Sequence, residues 1–178
     1  SADNDADYAI GDEVPYTLTI NVPENIAKLN TFKVTDTMDK TQLLCNEESI
    51  VVKDEDIQLS KDTDYTLTME AADSSNSGFT IDFKANAKTA INNYAGKTIT
   101  INYTATLQRD ASVDVAGNVN KADLKYSKKT NIAESETDEP YDIHDEAVVY
   151  TFKTGILKKG DDGKKLESVE FTLYKKFE

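Results

Sequence analysis

The side chain with the clearest chemical potential is an acidic residue inside an apolar, alternating segment. In residues 31–37 (TFKVTDT), Phe32 and Val34 define an apolar face, and the period of two places Asp36 on the same face. A carboxylate that faces a core is destabilising unless it is paired or hydrogen-bonded, and burial raises its pKa. A second interpretation ends the strand at Thr35 and leaves Asp36 to cap a turn with Thr37. The sequence alone leaves both interpretations open.

A lysine shares an apolar face near the end of the printed sequence. Tyr150, Phe152, Ile156 and Lys158 fall on one side of an alternating segment. This position predicts an inward lysine, whose amine burial would shift toward the neutral form. The alternative is a surface lysine whose stem covers apolar atoms while its ammonium group reaches water.

The remaining residue types that carry chemistry do not form a motif. Cys45 is the only cysteine, so no intramolecular disulfide can form, and its apolar neighbours predict an inert thiol. His144 is the only histidine and lies in an acidic stretch, so we expect no zinc site. The acidic runs at 54–56 and 161–162 lack the spacing of a calcium loop and are expected to be solvated turns. No phosphate-binding loop or nucleophile elbow is present, so we expect neither a conventional enzyme nor a cofactor.

The elements that must position Asp36 are predominantly strands. The clearest is residues 98–107, in which Ile, Ile, Tyr, Ala and Leu alternate with Thr and Asn, as expected of a strand with one buried face. Further strands are predicted at residues 14–22, 31–37, 43–52, 65–70, 79–85, 122–126, 148–158 and 168–173, the last two joined by a turn at 161–163. Residues 84–94 show the apolar spacing of a short helix, and residues 131–146 are predicted to be a loop. The pattern predicts an all-β fold, an antiparallel sandwich with one short helix.

Composition narrows the classes of partner. The 178 residues contain 38% hydrophobic and 30% charged residues, enough for one sizeable core under a very polar surface. A net charge of -13 argues against nucleic acid and against anionic lipid as partners. No secretory signal and no apolar run of membrane-spanning length is present, so we expect no membrane insertion in this segment. The acidic start and the strand-like end suggest a piece of a longer protein.

A series of short motifs identifies a family when it is taken in order. The motifs are Ile10-Gly11-Asp12, Val22-Pro23, the segment 32–37 (FKVTDT), residues 95–107 (AGKTITINYTATL), residues 118–127 (NVNKADLKYS) and residues 149–152 (VYTF). Over residues 8–152 the chain resembles the isopeptide-forming domain of sortase-assembled backbone pilins of Gram-positive bacteria. From Ile156 onward it resembles the opening hairpin of a collagen-adhesin B-type module. The resemblance therefore implies two units, residues 1–152 and the start of a following module at 153–178, with an Ig-like, collagen-adhesin-like sandwich fold.

The same resemblance implies a self-crosslinking chemistry. In that family a buried lysine amine attacks an asparagine amide, and a buried Asp or Glu polarises the amide and relays protons as ammonia leaves. This is a single event and not turnover. Asp36 matches the assisting carboxylate, and Lys158 matches the bond-forming lysine of the following module. The family asparagine follows Tyr126-Ser127, where this chain has Lys128, so Asn131 is the nearest amide.

The function that the resemblance implies is structural. The chain is expected to be a fragment of a subunit in a cell-surface pilus or adhesin shaft, outside the cell and anchored to the cell wall. Its expected partners are other pilin subunits, joined through sortase-mediated linkage, with no metal or cofactor. The alternative is an adhesin domain that recognises a host protein or glycan through its loops, which a groove of exposed aromatic side chains would favour.

Overall fold

A computed structural model of the chain describes residues 6–55, 57–85, 90–113, 117–127 and 141–150, with residues 6–7 and 141–150 described as backbone only. Several predictions lie outside these ranges. They concern Asn131, Lys158, the domain boundary at residues 152 and 153, and the turn at 161–163.

The described residues form two packed sheets. The first has six strands, in the spatial order β1 (Ala6–Asp7), β11 (Tyr141–Tyr150), β10 (Asn118–Tyr126), β3 (Phe32–Asp39), β8 (Asn76–Asp82) and β7 (Thr66–Met69). The second has the order β2 (Glu13–Asn21), β9 (Thr98–Leu107), β5 (Val51–Asp54) and β6 (Ile57–Gln58), and β4 (Leu43–Cys45) also pairs with β9. All pairs of strands are antiparallel except β1 with β11, which is parallel. The predicted all-β sandwich is confirmed.

The core lies between the two sheets and follows the alternation of the sequence. In β9 the side chains at alternate positions, from Ile99 to Leu107, are at most 2% exposed, as the period of two predicts. Aromatic rings fill the space that these strands enclose. The largest buried aromatic side chains are Tyr16, Phe32, Tyr65, Phe79, Phe83 and Tyr103. The buried face of β9 therefore holds the two sheets together over its whole length.

Helical structure in the described part of the chain is limited to three 3-10 helices: Ile26–Lys28, Glu47–Ser49 and Ala90–Tyr94. Of the helix expected at residues 84–94, the described residues Ala90–Tyr94 form the last of these 3-10 helices, with Ile91 buried against the core. In a segment this short, a 3-10 helix can also bring apolar residues three positions apart onto one side. The apolar spacing therefore predicted the buried residue Ile91 correctly but not the type of helix.

Two predicted boundaries were wrong. The strand expected at residues 43–52 is divided into β4 and β5 by the 3-10 helix Glu47–Ser49. The side chain of Asn46 caps this helix by accepting a hydrogen bond from the backbone amide of Glu48. The loop expected at 131–146 ends earlier, because β11 begins at Tyr141 and pairs with all of β10. The unpaired edge of β10 offers backbone hydrogen bonds that outweigh the low strand propensity of this acidic segment.

Within the ranges that the structure describes, no helix has both the length and the apolar character needed to cross a membrane.

Candidate functional site

Asp36 lies at the centre of the six-stranded sheet with its side chain in the core. It belongs to β3, opposite Ala122 of β10 and Phe79 of β8, and its exposed fraction is 0%. The strand continues past it to Asp39, so the inward interpretation is confirmed and the turn-capping interpretation was wrong.

Two neutral side chains hold one oxygen of this carboxyl group. The hydroxyl group of Tyr103, on β9 of the opposite sheet, donates a hydrogen bond to Asp36 Oδ2. Asn120 Nδ2, on β10, donates to the same oxygen at 3.0 Å and to the Tyr103 hydroxyl oxygen at 2.8 Å. We refer to Asp36, Tyr103 and Asn120 as the carboxyl centre. It joins three strands from both sheets through one buried hydrogen-bonded triangle.

Burial sets the protonation of the carboxyl centre. Desolvation raises the pKa of Asp36 from 3.8 to about 7, although the hydrogen bonds from Tyr103 and Asn120 counteract part of this rise. The Tyr103 phenol is also buried, and its pKa is raised by desolvation and by the neighbouring carboxylate. Asp36 therefore exchanges its proton near neutral pH, where an ordinary aspartate stays ionised, and Tyr103 remains a hydrogen-bond donor.

Three buried polar atoms at or beside the carboxyl centre lack a hydrogen-bond partner among the described residues. They are Asp36 Oδ1, Asn120 Oδ1 and the hydroxyl group of Tyr16. The Tyr16 ring stacks on Tyr103 with 5.2 Å between the ring centroids. Because buried polar groups are nearly always paired in native proteins, these atoms indicate a site that is incomplete in the described part of the chain.

Close backbone packing fixes the position of Asp36. Gly78 on β8 has a φ of +139°, and a Cβ atom there would overlap the Asp36 carbonyl oxygen. The next residue, Phe79, meets the Tyr103 ring edge-on, with 4.9 Å between the centroids. Gly78 thus allows β8 to approach β3, and Phe79 holds the phenol against the carboxyl group.

A second buried ionisable group lies where β8 ends. Lys84 is 6% exposed, its Nζ donates to Asn92 Oδ1 at 3.0 Å, and burial lowers its pKa. Asn92 belongs to the 3-10 helix Ala90–Tyr94. We refer to Lys84 and Asn92 as the lysine corner.

Other candidate residues have structural roles. Cys45 is 9% exposed, and burial raises the pKa of its thiol to about 12, as expected of an inert, protonated side chain. The prediction of a solvated turn at residues 54–56 was wrong for Asp54, which is 5% exposed and forms an ion pair with Lys97 at 2.9 Å. Within the described ranges, no three His, Cys, Asp or Glu side chains come close enough to share a metal ion.

An open cleft of about 630 Å³ lies between β6 and β7, at the edges of the two sheets. Its apolar lining includes Leu59, Tyr65 and Leu67, and an ion pair between Lys61 and Glu47 at 3.3 Å crosses its rim. The ring of Tyr65 is 4% exposed, so the cleft presents no free aromatic face. The strongly exposed large hydrophobic residues of the described chain are all aliphatic: Ile10, Leu44, Ile57 and Val113. These surfaces do not supply the aromatic groove that would favour an adhesin domain.

The sequence identified one member of the carboxyl centre and missed two. Asp36 was found through its alternation with Phe32 and Val34, whereas Tyr103 was assigned only to the core and Asn120 was assigned no role. A usable signal existed for Asn120, because the apolar face of residues 122, 124 and 126 reaches position 120 when it is extended backward by one step. Asn131 and Lys158 lie outside the described residues and stay predictions.

Comparison with known proteins places the chain in a family. Residues 10–131 match the family model described as Gram-positive pilin backbone subunit 2, Cna-B-like domain. No curated protein sequence matches the chain.

Solved structures share the fold. The 35 kDa C-terminal fragment of the major pilin GBS80 of Streptococcus agalactiae superposes with a TM-score of 0.72 at 19% identity, covering 91% of this chain and 56% of that one. The major pilin BcpA of Bacillus cereus gives 0.64 at 16% identity, covering 92% and 42%. The pilus backbone RrgB of Streptococcus pneumoniae gives 0.58 at 27% identity, covering 76% and 28%. The chain thus spans about half or less of each of these proteins.

The matched region contains most of the strands of both sheets and all three members of the carboxyl centre. The family model covers more than half of the chain, and the fold agrees with it. This chain therefore belongs to the family of Gram-positive pilin backbone subunits with a Cna-B-like domain.

Proposed function

We propose that the chain is a structural segment of a pilus or adhesin shaft on the surface of a Gram-positive cell. Its membership in the backbone-pilin family supports this role, as does its likeness to three pilins over more than three quarters of its own length. Its partners would be other pilin subunits, joined by sortase outside the cell and anchored to the cell wall. Residues 153–178 would begin the next module of the shaft.

We further propose that this segment crosslinks itself once, through a Lys–Asn isopeptide bond that Asp36 assists. In its protonated form the carboxyl group of Asp36 can polarise an amide carbonyl and protonate the leaving nitrogen, and in its ionised form it can accept the proton of the attacking amine. The sequence-based assignment gives Asn131 as the acceptor amide of this domain and Lys158 as the nucleophile of the following module. A single bond-forming event of this kind is maturation, and the chain is not an enzyme with turnover.

The observation that supports this chemistry most strongly is the state of Asp36. This carboxyl group is 0% exposed, its hydrogen-bond partners among the described residues are neutral, and its pKa is about 7. Such burial costs stability, which supports a role for the group beyond stabilising the fold. Its second oxygen has no partner among the described residues, so it is available to an incoming group.

Intact mass tests this proposal. We expect the full-length gene product to be lighter than its sequence by about 17 Da for each bond, because one ammonia leaves when an amine replaces the amide nitrogen. Asp36→Ala should abolish one such loss. The matched control is Asp39→Ala, which removes an exposed carboxylate from the same strand and should leave the mass deficit unchanged. A wild-type mass equal to the sequence mass, or an unchanged deficit in Asp36→Ala, would remove Asp36 from the chemistry.

A further inference from the structure

The amide that the structure brings to Asp36 is that of Asn120. Its side chain is 3% exposed, and its nitrogen lies 3.0 Å from Asp36 Oδ2 and 2.8 Å from the Tyr103 hydroxyl oxygen. Its carbonyl oxygen has no hydrogen-bond partner among the described residues. The nitrogen of this amide is thus bonded to Asp36 and Tyr103, and Asp36 can protonate it. The carbonyl oxygen has no partner among the described residues.

Strand β10 runs away from Asp36 in the direction of Tyr126 and Ser127, after which the sequence-based assignment placed the acceptor amide. Ala122 lies opposite Asp36, and the strand then runs to Tyr126, which lies opposite Phe32. Four residues of extended strand cover roughly 13 Å. Ser127 continues in the same direction, because its hydroxyl oxygen accepts hydrogen bonds from the backbone amides of Asn30 and Thr31 at 2.9 and 2.7 Å. From Ala122 to Ser127 the described chain therefore moves steadily away from the carboxyl centre.

We propose that Asn120 is the acceptor amide of the crosslink and that a lysine side-chain amine is the group that bonds to it. This inference rests on the proposed self-crosslinking function and changes the residue that carries it. The nitrogen of the lysine forms a bond to Cγ of Asn120, the bond from Cγ to Nδ2 breaks, and Nδ2 leaves as ammonia. One proton passes from the attacking amine through Asp36 to the leaving nitrogen, so the carboxyl group ends the reaction as it began.

The unpaired atoms specify the class of group that completes the site. Asn120 Oδ1 is a buried acceptor, and Asp36 Oδ1 is one whenever the carboxyl group is ionised, so the group that completes the site must bring hydrogen-bond donors. A neutral primary amine brings donors together with a nucleophilic lone pair. The inward positions next to Asp36 and Asn120 on their own strands are Val34, Met38, Asn118 and Ala122, and none of these is a lysine. The amine therefore reaches the centre from another segment of the same polypeptide.

The role of Tyr103 follows from the same geometry. Its hydroxyl group bonds to Asp36 Oδ2 and accepts from Asn120 Nδ2, so it fixes the carboxyl group and the leaving nitrogen relative to each other. Tyr103 is a positioning residue, and Tyr103→Phe should slow the appearance of the mass deficit without moving the crosslinked residue.

Digestion with trypsin places the two candidate acceptors, Asn120 and Asn131, in different peptides. Cleavage after Arg109 and Lys121 gives a peptide of residues 110–121 that contains Asn118 and Asn120, whereas Asn131 falls in residues 130–153. We expect the full-length gene product to lack linear 110–121 and to yield a branched peptide in its place, about 17 Da lighter than its two parts combined. Fragmentation at Val119 then assigns the branch to Asn120 or to Asn118. We expect a monomer in electrophoresis under denaturing conditions, because the lysine belongs to the same chain. A covalent dimer with the branch at Asn120 would keep Asn120 as the acceptor and overturn the self-crosslinking function.

Three variants support the mapping. Asn120→Ala should abolish the branch, whereas Asn118→Ala, which changes a buried asparagine on the same strand and the same face, should keep it, as should Asn131→Ala. Mapping of the wild-type protein needs no variant, so a failure of Asn120→Ala to fold leaves the test intact. A branch at Asn118 or in residues 130–153 would overturn the assignment of Asn120 and leave the self-crosslinking function standing. Fully linear 110–121 with no mass deficit anywhere would overturn both.

Discussion

The carboxyl centre and the lysine corner bury ionisable groups of opposite sign beside the same kind of partner. Asp36 is 0% exposed and is bonded to the amide of Asn120, and Lys84 is 6% exposed and is bonded to the amide of Asn92. Burial raises the pKa of the acid and lowers the pKa of the base, so both side chains are pushed toward their neutral forms.

The two sites differ in which end of the asparagine amide faces the ionisable group. At the lysine corner the amine donates to the oxygen of Asn92, so the oxygen of this amide has a partner. At the carboxyl centre the nitrogen of Asn120 points at the acid and its oxygen is left open. Burial thus shifts both groups toward their neutral forms, and the two sites differ in the orientation of the neighbouring amide. In the proposed chemistry it is this orientation that suits the carboxyl centre to bond formation.

The largest expected effect is the pH dependence that Asp36 imposes on stability. Since its pKa rises from 3.8 to about 7 on folding, the folded state binds a proton that the unfolded state has released between those values. The free energy of unfolding should thus fall as pH increases across that window, by up to about 4 kcal/mol. Asp36→Asn keeps the shape and removes the titration. We expect denaturant melts of the 178-residue chain at pH 4 and pH 8 to differ less in Asp36→Asn than in the wild type.

If the free energy of unfolding changed equally with pH in the wild type and in Asp36→Asn, the pKa of Asp36 would not be shifted by folding. The contrast with the lysine corner would then be removed. Asp39→Asn provides the control, because this exposed carboxyl group on the same strand accepts only local hydrogen bonds from Thr41.

The second effect is steric and acts on the carboxyl centre alone. Gly78→Ala forces a Cβ atom into the Asp36 carbonyl oxygen at a φ of +139°, so we expect a loss of about 3 kcal/mol in the free energy of unfolding. Gly11→Ala is the matched control, since Gly11 also has a positive φ, of +88°, but a Cβ atom at that position would have no neighbour within 4 Å. It should lose only about 1 kcal/mol. Equal losses in chemical denaturation would mean that the approach of β8 to Asp36 is not tight.

The smallest effect concerns the lysine corner. Asn92→Ala removes the acceptor that Lys84 Nζ uses, and we expect a loss of about 1 kcal/mol in stability at pH 7. Asn93→Ala, at the neighbouring position of the same 3-10 helix, should change stability by less than half of that. If thermal melts give both variants the same midpoint, the hydrogen bond from Lys84 to Asn92 contributes nothing to stability. Lys84 would then contribute only through the packing of its aliphatic chain.

Most of the fold that could be predicted from the sequence was predicted from the alternation of apolar and polar residues. The alternation predicted β9 to the residue, Thr98–Leu107, and it offered the inward position of Asp36 as one of two interpretations, because a period of two is a local property of the chain. It failed where long-range pairing decides the outcome. The acidic residues from Tyr141 onward form a strand that pairs with the whole of β10, which their own composition did not indicate. Asp54 is buried because β5 extends to it beside β9, so that it follows Val52 on the inward face, where Lys97 pairs with it.

The carboxyl centre shows the same limit. That Tyr103 and Asn120 point inward can be derived from their own strands, but their meeting at Asp36 depends on the register between β3 and β10 and on the packing of one sheet against the other. Neither is encoded in a single segment. A polar residue that continues an apolar face is the local signal to look for, and Asn120 provides it.

The parallel pairing of β1 with β11 has a mechanical consequence. Ala6 lies opposite Val149 and Asp7 opposite Tyr150, so the first and the last described strands are neighbours that run in the same direction. Tension applied to the two ends of such a domain pulls these strands past each other along their length. The hydrogen bonds between them then carry force together, in shear, and do not open one after another. Resistance to stretching is therefore present in the topology itself, before any covalent bond forms.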